Sequence, residues 1–500
     1  MQTHGFRKNP ALNLGRLPSF VLIAAAALIF IRLALVLIDP NHLGVDGGAY
    51  LVGRNHVLNI GETNSAFTRL PLGPGWLLVP FTALFGDNAG YKVWSALFSV
   101  VPALPAAYLL AGRYLTKGWA AGAAFIAIGG WLSTEMFVTG ALPLIGFGFT
   151  MLAMWGVAGI ADPRSKRRRK YGITIALALP LLALTNHTAA GISAIILPVW
   201  TIALYSRYRF RKSDLIFPVI AGIGLATFAW PWYPQVGMGS DTYRYPGPIL
   251  FLRETVMDIG YYVAAAAFVT SFYAWKRKWH AMAITIAFLG FWAPFYSFDE
   301  TIVNLTYRGR FLCSMLMPIV WVAELRDRLA DKPIAMQKGV LGMVAAAIAI
   351  GSLMTFNAQR DYSTFVNPDV EKVLAAVELH PAKGSIITSN FGEGTWYQGL
   401  TGRSVYYTFA HEPPRAFTQS DQDVRCIFNW VADCDVEAAI QRLDASHVVI
   451  NRHWPADWGQ IYKAPADGRD RLALWLPLDQ AAWLEPIAVS NEVKAWSIRR

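Results

Sequence analysis

Residues 19–54 read SFVLIAAAALIFIRLALVLIDPNHLGVDGGAYLVGR, and this stretch decides the fold class. Ser19 to Ile38 is apolar apart from Arg32, and a helix of about 20 such residues crosses the hydrocarbon of a bilayer. Arg7, Lys8 and Arg16 precede the run, and Asp39-Pro40-Asn41 follows it without a small-residue cleavage site. The run is too long for a signal-peptide core, so it reads as a retained helix with a cytoplasmic N-terminus.

The rest of the chain agrees with that reading. Of 500 residues, 54% are hydrophobic and only 15% charged, against about 25% charged in soluble domains. Further apolar runs at 91–112, 118–134, 138–160, 173–188, 189–206, 215–232, 257–275, 281–298, 311–327 and 339–356 bring the expected number of spans to eleven. The net charge of +11 sits in short loops between runs: Arg164 to Lys170, Arg207 to Lys212, Lys276 to Lys278, and Arg326 to Lys338. Loops of that kind stay cytoplasmic and bind anionic lipid heads, so the partner of the positive charge is the bilayer and not nucleic acid.

Pro71 to Gly86 (PLGPGWLLVPFTALFG) is apolar but carries three prolines and three glycines. It reads as a juxtamembrane or re-entrant segment on the outer side, because a span there would turn the basic loops outward. The first outer loop then runs from Asp39 to about Gly90, with others at 233–256 and 299–310. After Phe356 the long apolar runs stop. The expected organisation is a transmembrane domain, 1–356, and an extracytoplasmic α/β domain, 357–500. In the latter, Val370–Leu379 and Val436–Leu443 have helical spacing, GSIITS (384–389), SHVVIN (446–451) and Glu485–Val489 read as strands, and Asn390 to Gly394 as a turn. Three cysteines imply no disulfide framework, although Cys426 and Cys434 would be free to pair in an oxidising compartment.

Ionisable residues at a membrane usually serve a purpose. Asp46, Tyr50 and Arg54 fall four apart, on one face of any helix over 46–58. Asp46 is open to two readings, a general base for a hydroxyl nucleophile or the cap of a short interfacial helix. Arg308 and Arg310, in the loop ahead of the tenth span, suit an anionic phosphate or pair with Asp299 and Glu300. Arg32 either snorkels to the interface or reaches the same phosphate. Glu135, in a tight outer turn, is a second acid near the site or a solvated turn residue. Asp241 is a candidate contact to a sugar or metal, and His187 reads as an interhelical histidine. There is no HExxH, CxxC, P-loop or paired His/Cys cluster, so no metal is indicated and no nucleotide has an evident site.

Taken together, these features resemble the GT-C class of polyprenyl-phosphate-dependent glycosyltransferases, which includes protein O-mannosyltransferases, lipid A aminoarabinose transferases and oligosaccharyltransferases. The resemblance rests on Asp46 and Tyr50, Arg69-Leu70-Pro71-Leu72-Gly73-Pro74, Phe85-Gly86 and the span closing at Gly112-Arg113. Arg308 and Arg310 ahead of Pro318, and Lys383-Gly384 to Gly402-Arg403, are similar to the family's basic loop and to the start of its outer domain. One departure stands out: many members carry adjacent acids where this chain has Asp46-Gly47-Gly48.

The resemblance implies a multi-pass protein of the cell (inner) membrane. It implies an inverting hexosyl- or pentosyltransferase that moves sugar from a polyprenyl-phosphate donor to a hydroxyl of an envelope acceptor (glycan, lipid or protein). Asp46 would be the base, Arg308, Arg310 and Arg32 the donor-phosphate contacts, and Tyr50, Arg54, Glu135 and Asp241 substrate contacts. A transporter or flippase, and a non-catalytic scaffold that binds envelope polymer, are the competing classes. The outer-face charges and the lack of symmetric halves weigh against the transporter.

Overall fold

Backbone amides in hydrocarbon have no water to bond, which leaves the helix as the open-chain solution. The computed structural model is helical through the apolar runs among its described residues. It describes residues 19–42, 44, 47–61, 72–140, 142–162, 165–205, 260–292, 300–363, 366–388, 391–406, 419–428, 434–451 and 478–499. Asp46, Asp241 and the expected span 215–232 lie outside them. The chain divides into two compact units: 1–33, 95–137 and 141–356 in one, and 34–94, 138–140 and 357–500 in the other.

The first unit is a helix bundle. Its elements are most of α1 (Ser19–Ile38), then, after two helices of the second unit, the end of α4 (Asp87–Phe98), α5 (Ala103–Ala111), α6 (Lys117–Gly129), α7 (Trp131–Thr139), α8 (Leu142–Ala161), α9 (Arg168–Thr185) and α10 (His187–Tyr205). Beyond these come α11 (Gly260–Lys276), α12 (His280–Trp292), α13 (Glu300–Leu329) and α14 (Ile334–Ser363). Among the described residues five helical stretches are long and apolar enough to cross a membrane: Val21–Ile38, Asp87–Ala111, Leu142–Ala161, Thr188–Tyr205 and Ile334–Ala358.

Helix α8 is buried almost along its whole length. A Cβ on its Gly148 would lie 2.8 Å from the Ala103 nitrogen, so only glycine admits the start of α5 there. Thr150 Oγ1 and Ser193 Oγ share a 2.6 Å hydrogen bond, and Trp200 Nε1 donates to the Met154 carbonyl at 3.1 Å, tying α8 to α10. By contrast α1 and α14 leave Ile23, Phe30, Met343 and Met354 about two-thirds exposed, the surface that lipid chains cover.

Three sequence expectations change here. The stretch around Glu135 is helix α7 and not a tight turn, because Ser133 and Thr134 bond back to the Ala127 and Gly130 carbonyls and carry the chain into a new helix. The expected loop 299–310 is helical from Glu300, the first residue of the 30-residue α13. Arg32 does not snorkel: it is 3% exposed, and its Nη1 and Nη2 donate to the carbonyls of Ser99 and Ile128 while the guanidinium lies over the Phe137 ring. Both carbonyls sit near helix ends, where the backbone leaves acceptors without helical donors.

The second unit contains α2 (Gly47–Leu58), α3 (Leu72–Phe85), the first part of α4, α15 (Pro368–Leu379), α16 (Phe391–Thr401), α17 (Gln419–Ile427) and α18 (Val436–Arg442). Its five-stranded sheet comprises β1 (Ser385–Ile387), β2 (Val405–Tyr406), β3 (Ala445–Asn451), β4 (Leu484–Val489) and β5 (Val493–Ile498), in the order β2-β1-β3-β5-β4. The β1 pairings with β2 and β3 are parallel, and those of β5 with β3 and β4 antiparallel. Every residue of β3 is buried, as a central strand covered on both faces requires. Asn367 caps α15 by accepting from the Asp369 and Val370 amides at 3.0 Å.

Of the expected turn at 390–394, residues 391–394 are instead the first turn of α16, and Asn390 lies outside the described residues. β2, β5 and α17 were not legible, since β2 is only two residues long, α17 is short and polar, and β5 shows no clean alternation. Cys426 and Cys434 form a disulfide beside the sheet core of Val424, Val448 and Trp496.

On the central strand of this core, His447 is buried, its Nδ1 accepting from Arg403 Nη2 at 3.0 Å and lying 2.8 Å from Ser446 Oγ. Burial, then the charges of Arg403, His380 and Lys383, push the imidazole down to about 3. The unfolded chain takes up this proton near the ordinary value of 6.5, so the neutral histidine stabilises the fold above that pH. The contribution is lost progressively as pH falls from 6.5 towards 3. Thermal unfolding of the detergent-purified protein should therefore fall more steeply over that window in wild type than in His447→Gln; equal slopes would assign the acid sensitivity elsewhere.

Candidate functional site

The segment that leaves α1 is built into the second unit by close backbone approaches. A Cβ on Gly47 would lie 2.4 Å from Trp396 Cζ2, and one on Gly48 would lie 2.3 Å from the Trp396 backbone nitrogen. On the other flank a Cβ on Gly75 of α3 would be 2.7 Å from the Gly53 carbonyl. Helix α2 thus lies against α16 and α3 at glycine contacts that no larger residue permits. Trp396 Nε1 donates to the Gly44 carbonyl at 3.0 Å, and Asn55 Nδ2 to the Gly399 carbonyl at 2.9 Å.

Polar groups gather where α1 ends and α4 begins. Asp39, Pro40, His42, Asp87, Asn88, Lys92 and Glu371 line a cleft of about 490 Å³, with Leu37, Phe85 and Leu400 as its apolar walls. Lys92 is 4% exposed, and its Nζ donates to the Asp39 carbonyl at 2.5 Å. His42 Nε2 meets the Glu371 carboxylate, and the His42 amide donates to the Val366 carbonyl at 2.8 Å. The hydrogen bond from His42 holds the Glu371 carboxyl below its usual range against the opposing effect of burial, and the charges of His42 and Lys92 add to the same direction. The lysine was recognisable as a lone cation at the head of an apolar run; nothing in sequence marked His42 or Glu371 as its neighbours.

Two expected substrate contacts have other employment. Tyr50 is buried in an aromatic cluster, its ring centroid 6.2 Å from that of Tyr91 and 5.6 Å from that of Trp94. Arg54 pairs with Asp87, with Nη2 3.2 Å from Oδ2, and its Nε donates to Asn55 Oδ1 at 3.0 Å. Tyr50 and Arg54 therefore help hold α2 in place.

In the other unit, Arg310 lies in α13, 3% exposed, over the Phe311 ring, and Arg308 occupies the same helix. Glu135 is placed by its backbone in α7. Asp46 and Asp241 lie outside the described residues. Among the described residues no three His, Cys, Asp or Glu side chains gather into a metal site.

No protein-family model and no curated protein sequence matches the chain. Solved structures do. The apo structure of ArnT from Cupriavidus metallidurans aligns at a TM-score of 0.60 and 13% identity over 96% of this chain and 98% of that one. The archaeal oligosaccharyltransferase AglB from Archaeoglobus fulgidus, in complex with an inhibitory peptide and a dolichol-phosphate, aligns at 0.55 and 12% identity over 88% and 71%. The arabinofuranosyltransferase AftD from Mycobacteria aligns at 0.56 and 14% identity, over 99% of this chain but 41% of its own length. The chain has the GT-C glycosyltransferase fold, that of an integral membrane protein.

Breaking the Arg54–Asp87 pair tests the structural role given to Arg54. Asp87→Asn leaves a buried guanidinium short of its charge partner, at a cost of about 1–3 kcal/mol. A lowered unfolding midpoint is expected, and an unchanged one would return Arg54 to the list of ligand contacts.

Proposed function

We propose that this protein transfers a sugar from a polyprenyl-phosphate donor to a hydroxyl acceptor on the outer face of the membrane, with inversion at the anomeric carbon. The observation that carries the reading is a GT-C fold that runs end to end with ArnT, which has also been solved bound to undecaprenyl phosphate. The same fold in AglB is solved with a dolichol-phosphate. A lipid phosphate as leaving group removes any need for a nucleotide site.

In this reading Asp46 takes the proton of the acceptor hydroxyl as its oxygen attacks the anomeric carbon in line. The bond to the phosphate oxygen breaks as the new glycosidic bond forms. Guanidinium from Arg308 or Arg310 stabilises the negative charge that grows on the departing phosphate, the electrostatic effect that is usually largest in such reactions. Glu135 and Asp241 remain candidate substrate contacts.

The proposed topology has eleven spans, a cytoplasmic N-terminus and residues 357–500 outside. The basic loops support it, and so does the Cys426–Cys434 disulfide, which belongs in an oxidising compartment.

The test is transfer from synthetic polyprenyl-phosphate sugars to membrane extracts by the purified protein. Asp46→Asn should lower turnover by about 10²–10⁴-fold, the usual contribution of a general base, with the fold intact. Wild-type turnover in that variant would remove Asp46 from the role. Arg308→Gln and Arg310→Gln, made singly, should differ: the one on the phosphate weakens donor binding by about tenfold or more, and unchanged donor affinity in both would make the pair structural.

A further inference from the structure

The cleft where α1 ends and α4 begins holds more hydrogen-bonding capacity than its walls consume. An ammonium has three N–H groups to place. That of Lys92 gives one to the Asp39 carbonyl and, though 4% exposed, forms no ion pair among the described residues. Asn88 Nδ2 donates to the Pro40 carbonyl at 3.4 Å, and Asn88 Oδ1 is buried without a donor among the described residues. His42 is 1% exposed; Glu371 takes its Nε2, and its Nδ1 has no partner among the described residues. Proteins seldom leave buried polar groups in that state, and each instance calls for a group that completes it.

Charge decides the class of that group. Arg54 holds both oxygens of Asp87, His42 holds Glu371, and Lys92 lies in the fields of Asp39 and Glu371. A free anion would meet two carboxylates here and a free cation would meet Lys92, so neither is favoured. What remains is a neutral ligand that donates and accepts at once, and a hydroxyl does both. Leu37 and Phe85, each about half exposed, add apolar surface to the same cleft. Its volume of about 490 Å³ is that of a small-molecule site, roughly 300–1,000 Å³. A ring with hydroxyls on its rim and C–H groups on its face uses all of these features.

We propose that this cleft binds one saccharide unit of the acceptor, with Lys92 and Asn88 on its hydroxyls and Phe85 against its ring, so that the acceptor is a glycan. Assigning the ring to the acceptor rests on the reading of the protein as a transferase. A donor sugar carries its phosphate on the anomeric carbon and would bring that charge to Asp39 and Glu371.

Saturation-transfer NMR titrations of the detergent-purified full chain with mannotriose, arabinotriose, galactotriose and chitotriose test binding without turnover. At least one should bind, and Lys92→Met should weaken it by about tenfold or more, the worth of a hydrogen bond to a charged group. Apolar volume in place of a buried ion is commonly tolerated by a fold, and the unfolding midpoint checks this. Ala89→Phe fills the cleft from α4, removes none of its polar groups, and should abolish binding. Lys372→Met removes an exposed lysine that pairs with Asp369 and does not line the cleft, and it should leave binding unchanged.

If none of the four oligosaccharides binds, or if both cleft variants bind as wild type does, the proposal is overturned. Displacement of the bound sugar by inorganic phosphate or by the peptide Gly-Ser-Gly overturns it too. In the transfer assay, Lys92→Met should raise the KM for a glycan acceptor by about tenfold and leave that for the polyprenyl-phosphate sugar unchanged. The reverse pattern puts the donor in the cleft and refutes the acceptor assignment. A protein that binds oligosaccharide through Lys92 and transfers no sugar supports the saccharide site while refuting the transferase reading, so the two failures are told apart.

Discussion

How near one short helix comes to its neighbours governs the second unit. Helix α2 touches α16 and α3 through glycine, at separations where a single added carbon would collide with backbone. Such contacts cannot be relieved by a side-chain rotation, so they set the position of the helix rather than merely stabilising it. Trp396 belongs to the same packing. Its indole is seated against Gly47 and Gly48 and bonded to the Gly44 carbonyl.

Nearby the charges are matched one by one. Arg54 meets Asp87, His42 meets Glu371, and Lys92 meets a carbonyl of Asp39. Buried ions without partners cost far more than paired ones return, so such a site has to be assembled as a set. The pairs draw on residues 39–54, 87–92 and 371. Residues 34–94 and the chain after 356 therefore fold as parts of one compact unit.

Much of this was legible in the sequence, and the limits follow a pattern. Long apolar runs announce helices because hydrocarbon leaves the backbone no alternative, and Val370–Leu379 and SHVVIN declared themselves through spacing and branching. Polar positions were read less well. Glu300 to Arg310 looks like a loop by composition, yet it extends α13, since Glu, Leu and Arg are good helix formers and an acid suits a first turn. Tyr50 and Arg54 look like ligands from their exposure-prone chemistry, but their partners Trp94 and Asp87 lie more than thirty residues on, in another helix. Gly47 and Gly48 look like a missing acid. Only the arrival of Trp396, some 350 residues later, gives them meaning.

Arg32 has a consequence for how the protein is made. It leaves the ribosome before either of its acceptors: Ser99 is 67 residues behind it and Ile128 is 96. At roughly 5–20 residues per second, the nascent first helix waits about 5–20 s with a bare cation in the translocon. The penalty for such a cation at a helix centre is about 2.5–3.5 kcal/mol on insertion scales, and the many Leu, Ile, Val and Phe residues around it outweigh that. Insertion is thus secured by hydrophobicity alone, whereas the rotation of the helix about its own axis is locked only when the later segments are synthesised.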